Sequence, residues 1–258
     1  MNRMVGKINF DCSEAVMIRG EDLTLDEVFQ TAKGRKVQLS AGAAEKILKA
    51  YQTVKEKIDE KEPIYGITTG FGKLSNIAIN QTQSAQLQKN LIMSHACGVG
   101  KPFSEEITRA IMLLRANTLA NGHSGVHIRV VETLIEMLNK RVHPVIPEKG
   151  SLGASGDLAN LAHVALVIIG MGEAIYQGKR YQGKTAIFPI LSASNVKYPP
   201  KILFSIAFLT DNIHSHETLF ELYHVIWICK HDSTIPQFFT IIENPSNPYS
   251  LNFVPSSR

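Results

Sequence analysis

The chain has 258 residues, of which 44% are hydrophobic and 19% charged, and its formal net charge is +4 at pH 7. This length is enough to bury a large core in one or two domains. Because the positive surplus is small and no basic run carries it, the composition gives no reason to expect nucleic acid or an anionic membrane surface as a partner.

The sequence lacks the usual marks of a membrane or secreted protein. Its longest apolar run, Val164–Met171, is far shorter than the roughly 20 residues that a membrane-spanning helix needs. The N-terminus has no apolar signal core. Three scattered cysteines, Cys12, Cys97 and Cys229, are odd in number and argue against a disulfide framework. We therefore expect a cytoplasmic protein.

Helical patterns with short glycine or proline breaks dominate the chain after an irregular lead-in that runs to about Gly20. Thr24-Leu-Asp-Glu27 is a capping-box pattern, and Ser40 and Ser104 stand where N-caps are expected. A small β-hairpin is predicted at 174–181, where apolar residues flank a glycine turn. The sequence thus predicts a mostly α fold. The predicted helices cover about residues 24–34, 40–62, 82–96, 104–121, 127–141 and 158–171.

A glycine-rich stretch, Gly150-Ser-Leu-Gly-Ala-Ser-Gly-Asp157, lies directly before the last of these helices. With so little side-chain bulk, its backbone can bend sharply and approach itself. The Gly156 nitrogen could then attack the Ala154 carbonyl carbon. Loss of two waters, one of them from the Ser155 side chain, would leave an electrophilic imidazolone ring. Asp157 is expected to cap the following helix, whose N-terminus favours negative charge.

Three other interpretations of this stretch are weaker. A hydrolase elbow, G-x-S-x-G, fails because Asp157 stands at the fifth position. A dinucleotide fingerprint needs a different glycine spacing after a strand, and Pro144 and Pro147 interrupt what precedes. A purely structural lead into a buried helix would explain the glycines alone.

Two further stretches combine glycines with a candidate site residue. Tyr65-Gly-Ile-Thr-Thr-Gly-Phe-Gly-Lys73 should be a loop, but Ile67 and Leu74 break the phosphate-binding pattern. A glycine-rich turn with Tyr65 packed at its base is the structural alternative. In Ser94-His-Ala-Cys-Gly-Val-Gly100, His95 lies near a predicted helix end, where a histidine is commonly a cap or a hydrogen-bonded core residue.

Together with His143-Pro-Val-Ile-Pro147 and Leu161–Leu166, these stretches resemble the aromatic amino acid ammonia-lyases, and Ser94–Gly100 looks most like the histidine ammonia-lyases. The resemblance runs from about Leu23 to about Gly183. It implies an N-terminal helical lyase domain without the long central helices of the family. It also implies that Ala154, Ser155 and Gly156 mature to the cofactor 4-methylidene-imidazole-5-one (MIO).

The resemblance assigns roles to two further residues. Tyr65 would be the base that removes the substrate β-proton, which requires a pKa below the phenol reference of about 10. His95 would contact the substrate side chain, and a histidine at this position is typical of members that act on histidine or tyrosine. The implied reaction is elimination of ammonia from L-histidine to give urocanate, with tyrosine as the alternative substrate.

The resemblance also implies a homotetramer whose active sites draw residues from several subunits. The long helices that hold this assembly have no counterpart in the sequence of this chain. The chain could therefore be a non-catalytic fragment, or a partner subunit of a longer lyase.

Residues 184–258 differ sharply from the rest of the chain and match nothing in the family pattern. They contain no glycine, although residues 1–183 hold all 18. We expect a lyase-like domain over 1–183 and an unmatched tail, either a frameshifted or mis-spliced sequence, a foreign segment or a different domain. Two apolar stretches, 202–209 and 219–228, are candidate core elements. No metal site is predicted, since no familiar ligand spacing includes the four tail histidines, His214, His216, His224 and His231.

Overall fold

A computed structural model of the chain describes residues 14–60, 63–64, 67–70, 77–79, 81–151, 157–191, 239–243 and 251–255. Helices make up most of this structure, which confirms the predicted mostly α class. In chain order its elements are β1 Val16–Ile18, α1 Leu25–Ala32, β2 Val37–Leu39, α2 Ala41–Asp59, α3 Gln81–His95, β3 Val99–Pro102, α4 Glu105–Ala120, α5 Ile128–Lys140, β4 His143–Pro144, β5 Pro147–Lys149, α6 Leu158–Ile168, β6 Glu173–Tyr176, β7 Lys179–Gln182, α7 Lys184–Leu191, β8 Phe239–Glu243 and β9 Leu251–Pro255.

The predicted N-caps are in place. Thr24 closes a capping box before α1: its side chain accepts from the Glu27 amide, and its own amide donates to the Glu27 carboxylate at 2.8 Å. Ser40 and Ser104 accept in the same way from amides of the first turns of α2 and α4. These bonds satisfy N–H groups that have no partner inside the helix. Short-range sequence signals therefore set where three helices begin.

The predicted irregular lead-in is wrong for its last part. Val16–Ile18 forms β1, which pairs in parallel with β2 across the α1 crossover. Val16 and Ile18 are buried, with 2% and 0% of their surfaces exposed. A three-residue strand is too short to show a period, and only its distant partner β2 makes it a strand.

Helix α4 is the centre of the core, and α1, α2 and α5 pack around it. Its sequence shows no clear division into an apolar and a polar face, because the helix is buried on nearly all sides. The guanidinium of Arg109 lies inside this core, 1% exposed, and donates to the carbonyls of Thr31 at 2.8 Å, Leu138 at 2.7 Å and Arg35 at 3.3 Å. Burial lowers the pKa of Arg109, which Glu105 opposes. This buried cation joins α4 to the ends of α1 and α5.

The small β-hairpin predicted near 174–181 is confirmed as β6 and β7. Its turn residues, Gln177 and Gly178, have φ of 49° and 72°, the left-handed pair that a tight two-residue hairpin turn requires. Helix α7 follows Gly183, and its Ala186 and Ile187 are fully buried in the core. The domain boundary at 183/184 stays a prediction.

After α7, the described residues of the tail are those of β8 and β9, which form an antiparallel pair with Ile241 opposite Phe253. The candidate core stretches at 202–209 and 219–228, and the four tail histidines, lie outside those residues. The longest helix of the described part is α2, with 19 residues. Among the helices described, none combines the length and the apolar character needed to cross a membrane.

Candidate active site

Two of the predicted site stretches meet at a short sheet. Strand β3, which begins inside the His95 stretch, pairs antiparallel with β5, which leads into the glycine-rich stretch; Val99 lies opposite Lys149. Next to this sheet, Gly98 and Gly150 approach so closely that a Cβ on Gly150 would lie 2.9 Å from Gly98 Cα. Helices α3 and α6 pack against each other. Residues about 50 positions apart in sequence are thus neighbours.

Four of the five predicted site residues lie outside the described residues, namely Tyr65, Ala154, Ser155 and Gly156. Their flanks are described. On either side of Tyr65, the Ile64 amide donates to Thr68 Oγ1 at 2.7 Å, and residues 67–68 form a turn. Thr69 pairs with Ala78 in an isolated bridge. The described part of the Tyr65 loop is therefore a hydrogen-bonded turn, as its glycines predict.

His95, the fifth predicted residue, is half-buried as the last residue of α3, so its predicted place at a helix end is confirmed. Its Nδ1 lies 2.9 Å from the Leu91 carbonyl oxygen and 3.1 Å from Ser94 Oγ. A carbonyl oxygen only accepts, so Nδ1 must carry the proton. The Ser94 hydroxyl itself donates to the same carbonyl at 2.8 Å. In the neutral ring, Nε2 is then left as a hydrogen-bond acceptor.

Asp157 stands at the N-cap position of α6, but its side chain makes no capping hydrogen bond, so the predicted side-chain cap is wrong. The carboxylate, 6% exposed, instead accepts from the Ser151 hydroxyl. This bond spans 152–156, the segment that holds the three cofactor-precursor residues. It draws the two ends of that segment together. A capping pattern does not predict this contact, because the two residues are six positions apart.

A second histidine joins the two stretches and was not predicted as a site residue. His163 on α6 accepts the Gly98 N–H through Nε2 at 3.2 Å. Burial lowers the pKa of His163, with Glu173 opposing it, so the ring is neutral at pH 7, as an acceptor must be. No sequence signal set it apart, because Asn160 is a second polar residue of the same mostly apolar helix.

The described flanks suit a backbone turn that cyclises. Gly150 has φ of 136°, a conformation that side chains rarely adopt, and the bond between Ser151 and Asp157 closes the segment after it. Helix α6 begins two residues after Gly156, so its unpaired N-terminal amides and its dipole lie next to the predicted ring. These groups would stabilise negative charge that develops there.

The arrangement is that of a helical enzyme fold in which a glycine-rich segment, with its two ends joined by the bond between Ser151 and Asp157, precedes a buried helix that packs on a histidine-bearing helix. A family model described as aromatic amino acid lyase matches residues 23–191. This chain belongs to the aromatic amino acid lyase family. The match begins where the sequence resemblance began and extends to the end of α7.

Named relatives agree with this membership. A histidine ammonia-lyase from Caldanaerobacter subterraneus is 56% identical over 173 residues, which cover 67% of this chain and 34% of that protein. The structure of histidine ammonia-lyase from Trypanosoma cruzi superposes with a TM-score of 0.66 at 30% identity, covering 76% of this chain and 37% of that one. Tyrosine aminomutase from Streptomyces globisporus gives a TM-score of 0.63 at 36% identity, covering 71% and 34%. The chain spans about a third of the length of the curated relatives it matches.

Proposed function

We propose that this chain carries the cofactor-forming region of an ammonia-lyase that acts on L-histidine. The observation that carries the proposal is the placement of His95. Its stretch is paired through β3 and β5 with the lead-in to Ala154–Gly156, so a substrate side chain held by His95 would lie beside the predicted electrophile. The identity of over 50% to named histidine ammonia-lyases supports histidine as the substrate.

In this proposal, Ala154, Ser155 and Gly156 are the precursors of MIO. When formed, this ring supplies the electrophile that turns the substrate amine into a leaving group. The protein's own residues do the rest: Ser151 and Asp157 hold the ends of the segment together, and the α6 N-terminus stabilises developing negative charge. Tyr65 removes the β-proton, which needs a local environment that lowers its pKa.

His95 is proposed to select a substrate with a polar ring. Its Nδ1–H is committed to the Leu91 carbonyl, so Nε2 faces the substrate as an acceptor. An imidazole N–H or a phenol O–H would satisfy that acceptor, whereas a phenyl ring would leave it without a partner. Histidine and tyrosine are therefore both compatible with the contact, and tyrosine is the alternative substrate.

The second candidate function is a non-catalytic chain, such as a fragment or a partner subunit. It is favoured by one observation: the chain covers 34% of the relatives that it matches. By the resemblance, the family's active sites combine residues of several subunits in a homotetramer. A catalytic form of this protein would then assemble with further chain or with other subunits, and we place either form in the cytoplasm on the basis of the free Cys97.

Intact mass and product formation test these two functions together. We expect the purified chain to weigh two waters less than its sequence and to release ammonia and urocanate from L-histidine. Ser155→Ala should show no loss of two waters and no turnover, because the second dehydration needs the serine hydroxyl. Ser84→Ala is the matched control, because Ser84 is a half-buried residue of α3 and loss of its hydroxyl should have little effect on mass loss or turnover.

Three results are informative. Turnover that survives in Ser155→Ala would disprove the MIO hypothesis. The full sequence mass, with no water lost and no turnover, would favour the non-catalytic chain. A mass reduced by two waters without turnover would mean that the ring forms but that the active site is completed by other subunits or further chain.

A further inference from the structure

The backbone at Gly98 lies against β5 and α6, the two elements that flank the segment proposed to form the cofactor. A Cβ placed on Gly98 would lie 2.9 Å from His163 Nε2 on α6 and 3.2 Å from the Pro147 ring on β5. On its other side, Gly150 approaches its Cα. Such contacts are possible only for a residue without a side chain. The segment after His95 is therefore pressed directly against α6 and against the lead-in to Ala154.

One hydrogen bond fixes this contact. The Gly98 amide donates to His163 Nε2 at 3.2 Å, across 65 residues of sequence. Acceptance at Nε2 requires a neutral ring with its proton on Nδ1. The half-buried position of His163 favours that state, because burial disfavours the charged ring and lowers its pKa. Glu173 is the charged group whose field opposes this effect.

Helix α6 is a rigid support for this hydrogen bond. His163 lies between Ala162 and Val164, which are both fully buried, so the helix is anchored in the core on either side of the ring. The same helix begins two residues after Gly156, and Gly98 follows His95 by three residues. The bond therefore links the rigid support of the predicted electrophile to the segment that carries the predicted substrate contact.

We propose that His163 is a positioning residue, whose Nε2 holds the Gly98 amide and thereby sets the place of His95 relative to Ala154–Gly156. The catalytic consequence rests on the proposed function, but the contact itself does not. His163 touches neither substrate nor reacting atoms in this proposal. It acts through the backbone of 96–98.

A test that needs no turnover follows the Gly98 amide and the neighbouring thiol in the 258-residue chain. We expect His163→Leu to accelerate hydrogen exchange of the Gly98 amide by about tenfold, the loss expected for one hydrogen bond. His163→Gln, which can present an acceptor near the position of Nε2, should retain slow exchange. In a background with Cys12 and Cys229 replaced by serine, a thiol reagent should label the exposed Cys97 faster in His163→Leu than in wild type or His163→Gln. His123→Leu, at an exposed histidine, is the matched control.

The catalytic measurement compares the same variants on L-histidine. His163→Leu should still lose two waters in intact mass, yet show kcat/KM lower by roughly 10- to 100-fold, as misplaced contacts do. His163→Gln should restore most of this loss. Gly98 exchange that is unchanged in a folded His163→Leu variant would overturn the proposal, and so would faster exchange with an unchanged kcat/KM in an active chain. A wild-type chain that loses no water and has no turnover would count against the proposed function and not against the contact, and the exchange and labelling results alone would then decide whether His163 holds the segment.

Discussion

Gly98 and Gly150 lie back to back, so that a side chain on Gly150 would meet the Gly98 Cα at 2.9 Å. Gly98 follows α3 and Gly150 follows β5, and the pairing of β3 with β5 brings them together. Gly98 and Gly150 thus allow two backbones to touch, which neither sequence stretch reveals alone. The contact lies three residues after His95, the predicted substrate contact, and four residues before Ala154, the predicted start of the cofactor.

Replacing Gly150 should therefore be far more damaging than replacing a glycine that is only a turn residue. Gly178 also has positive φ, 72°, but a Cβ there would meet nothing within 4 Å. We expect Gly178→Ala to reduce the free energy of unfolding by about 1–2 kcal/mol through left-handed strain. Gly150→Ala adds a backbone overlap and should cost more than about 2 kcal/mol. Urea unfolding measures both, and equal losses would contradict the close approach.

Variants at His95 should separate the polar contact from simple space filling. His95→Gln keeps an acceptor, whereas His95→Phe removes it and presents an apolar ring. We expect His95→Phe to lower kcat/KM for L-histidine by roughly 10- to 100-fold, because a buried ring N–H would lose its partner. Its preference should move toward L-phenylalanine, and His95→Gln should fall between the two.

The measurement is kcat/KM for histidine, tyrosine and phenylalanine in one preparation of each variant. Intact mass serves as the control, since the loss of two waters should not depend on His95. An unchanged preference in His95→Phe would remove His95 from the substrate site.

Arg109 should be among the most sensitive positions for stability. The Arg109 guanidinium donates to three backbone carbonyls. In Arg109→Met, these carbonyls would lose their charged donor. We expect the free energy of unfolding to fall by about 3 kcal/mol or more, with Arg109→Lys intermediate because one ammonium cannot reach all three carbonyls. Arg129→Met is the control: its side chain is 50% exposed and pairs with Glu132 on the surface, so a change within about 0.5 kcal/mol is expected.

The sequence alone predicted the features that depend on contacts within one helical turn. Thr24, Ser40 and Ser104 begin their helices as predicted, because the donor and acceptor of each cap are three residues apart. The same logic failed at Asp157. Its carboxylate had a competing partner in Ser151, six residues earlier in the chain, which the capping pattern does not specify.

Long-range contacts account for what the sequence could not provide. The Arg109 guanidinium finds carbonyls 78 and 29 residues away, and His163 finds an amide 65 residues away. Neither residue differs in its local pattern from one that faces solvent or fills a core. The order of the motifs identified the family, but only the pairing of β3 with β5 shows that two of them are neighbours in the fold.

A last prediction concerns the pH dependence of stability at His143, in β4. This ring is 6% exposed, and burial lowers its pKa to about 4; Arg109 and Arg141 repel its charged form, while Glu105, 3.1 Å from Nε2, opposes the shift. The unfolded chain binds this proton near the reference value of about 6.5. Between these two values the unfolded state holds more protons than the folded state, so stability falls as pH is lowered from about 6.5 toward about 4.

The free energy lost over that window should be on the order of 3 kcal/mol, at about 1.4 kcal/mol per pH unit. Burial also lowers the pKa values of His127 and His163, which adds losses of the same sign. Urea unfolding of wild type and His143→Gln at pH 7 and pH 4.5 therefore isolates the contribution of His143. Between these two pH values, the free energy of unfolding should fall less in His143→Gln than in wild type. His123→Gln, at an exposed histidine, should follow the wild type. Equal pH dependence in His143→Gln and wild type would show that this ring is not held neutral by the fold.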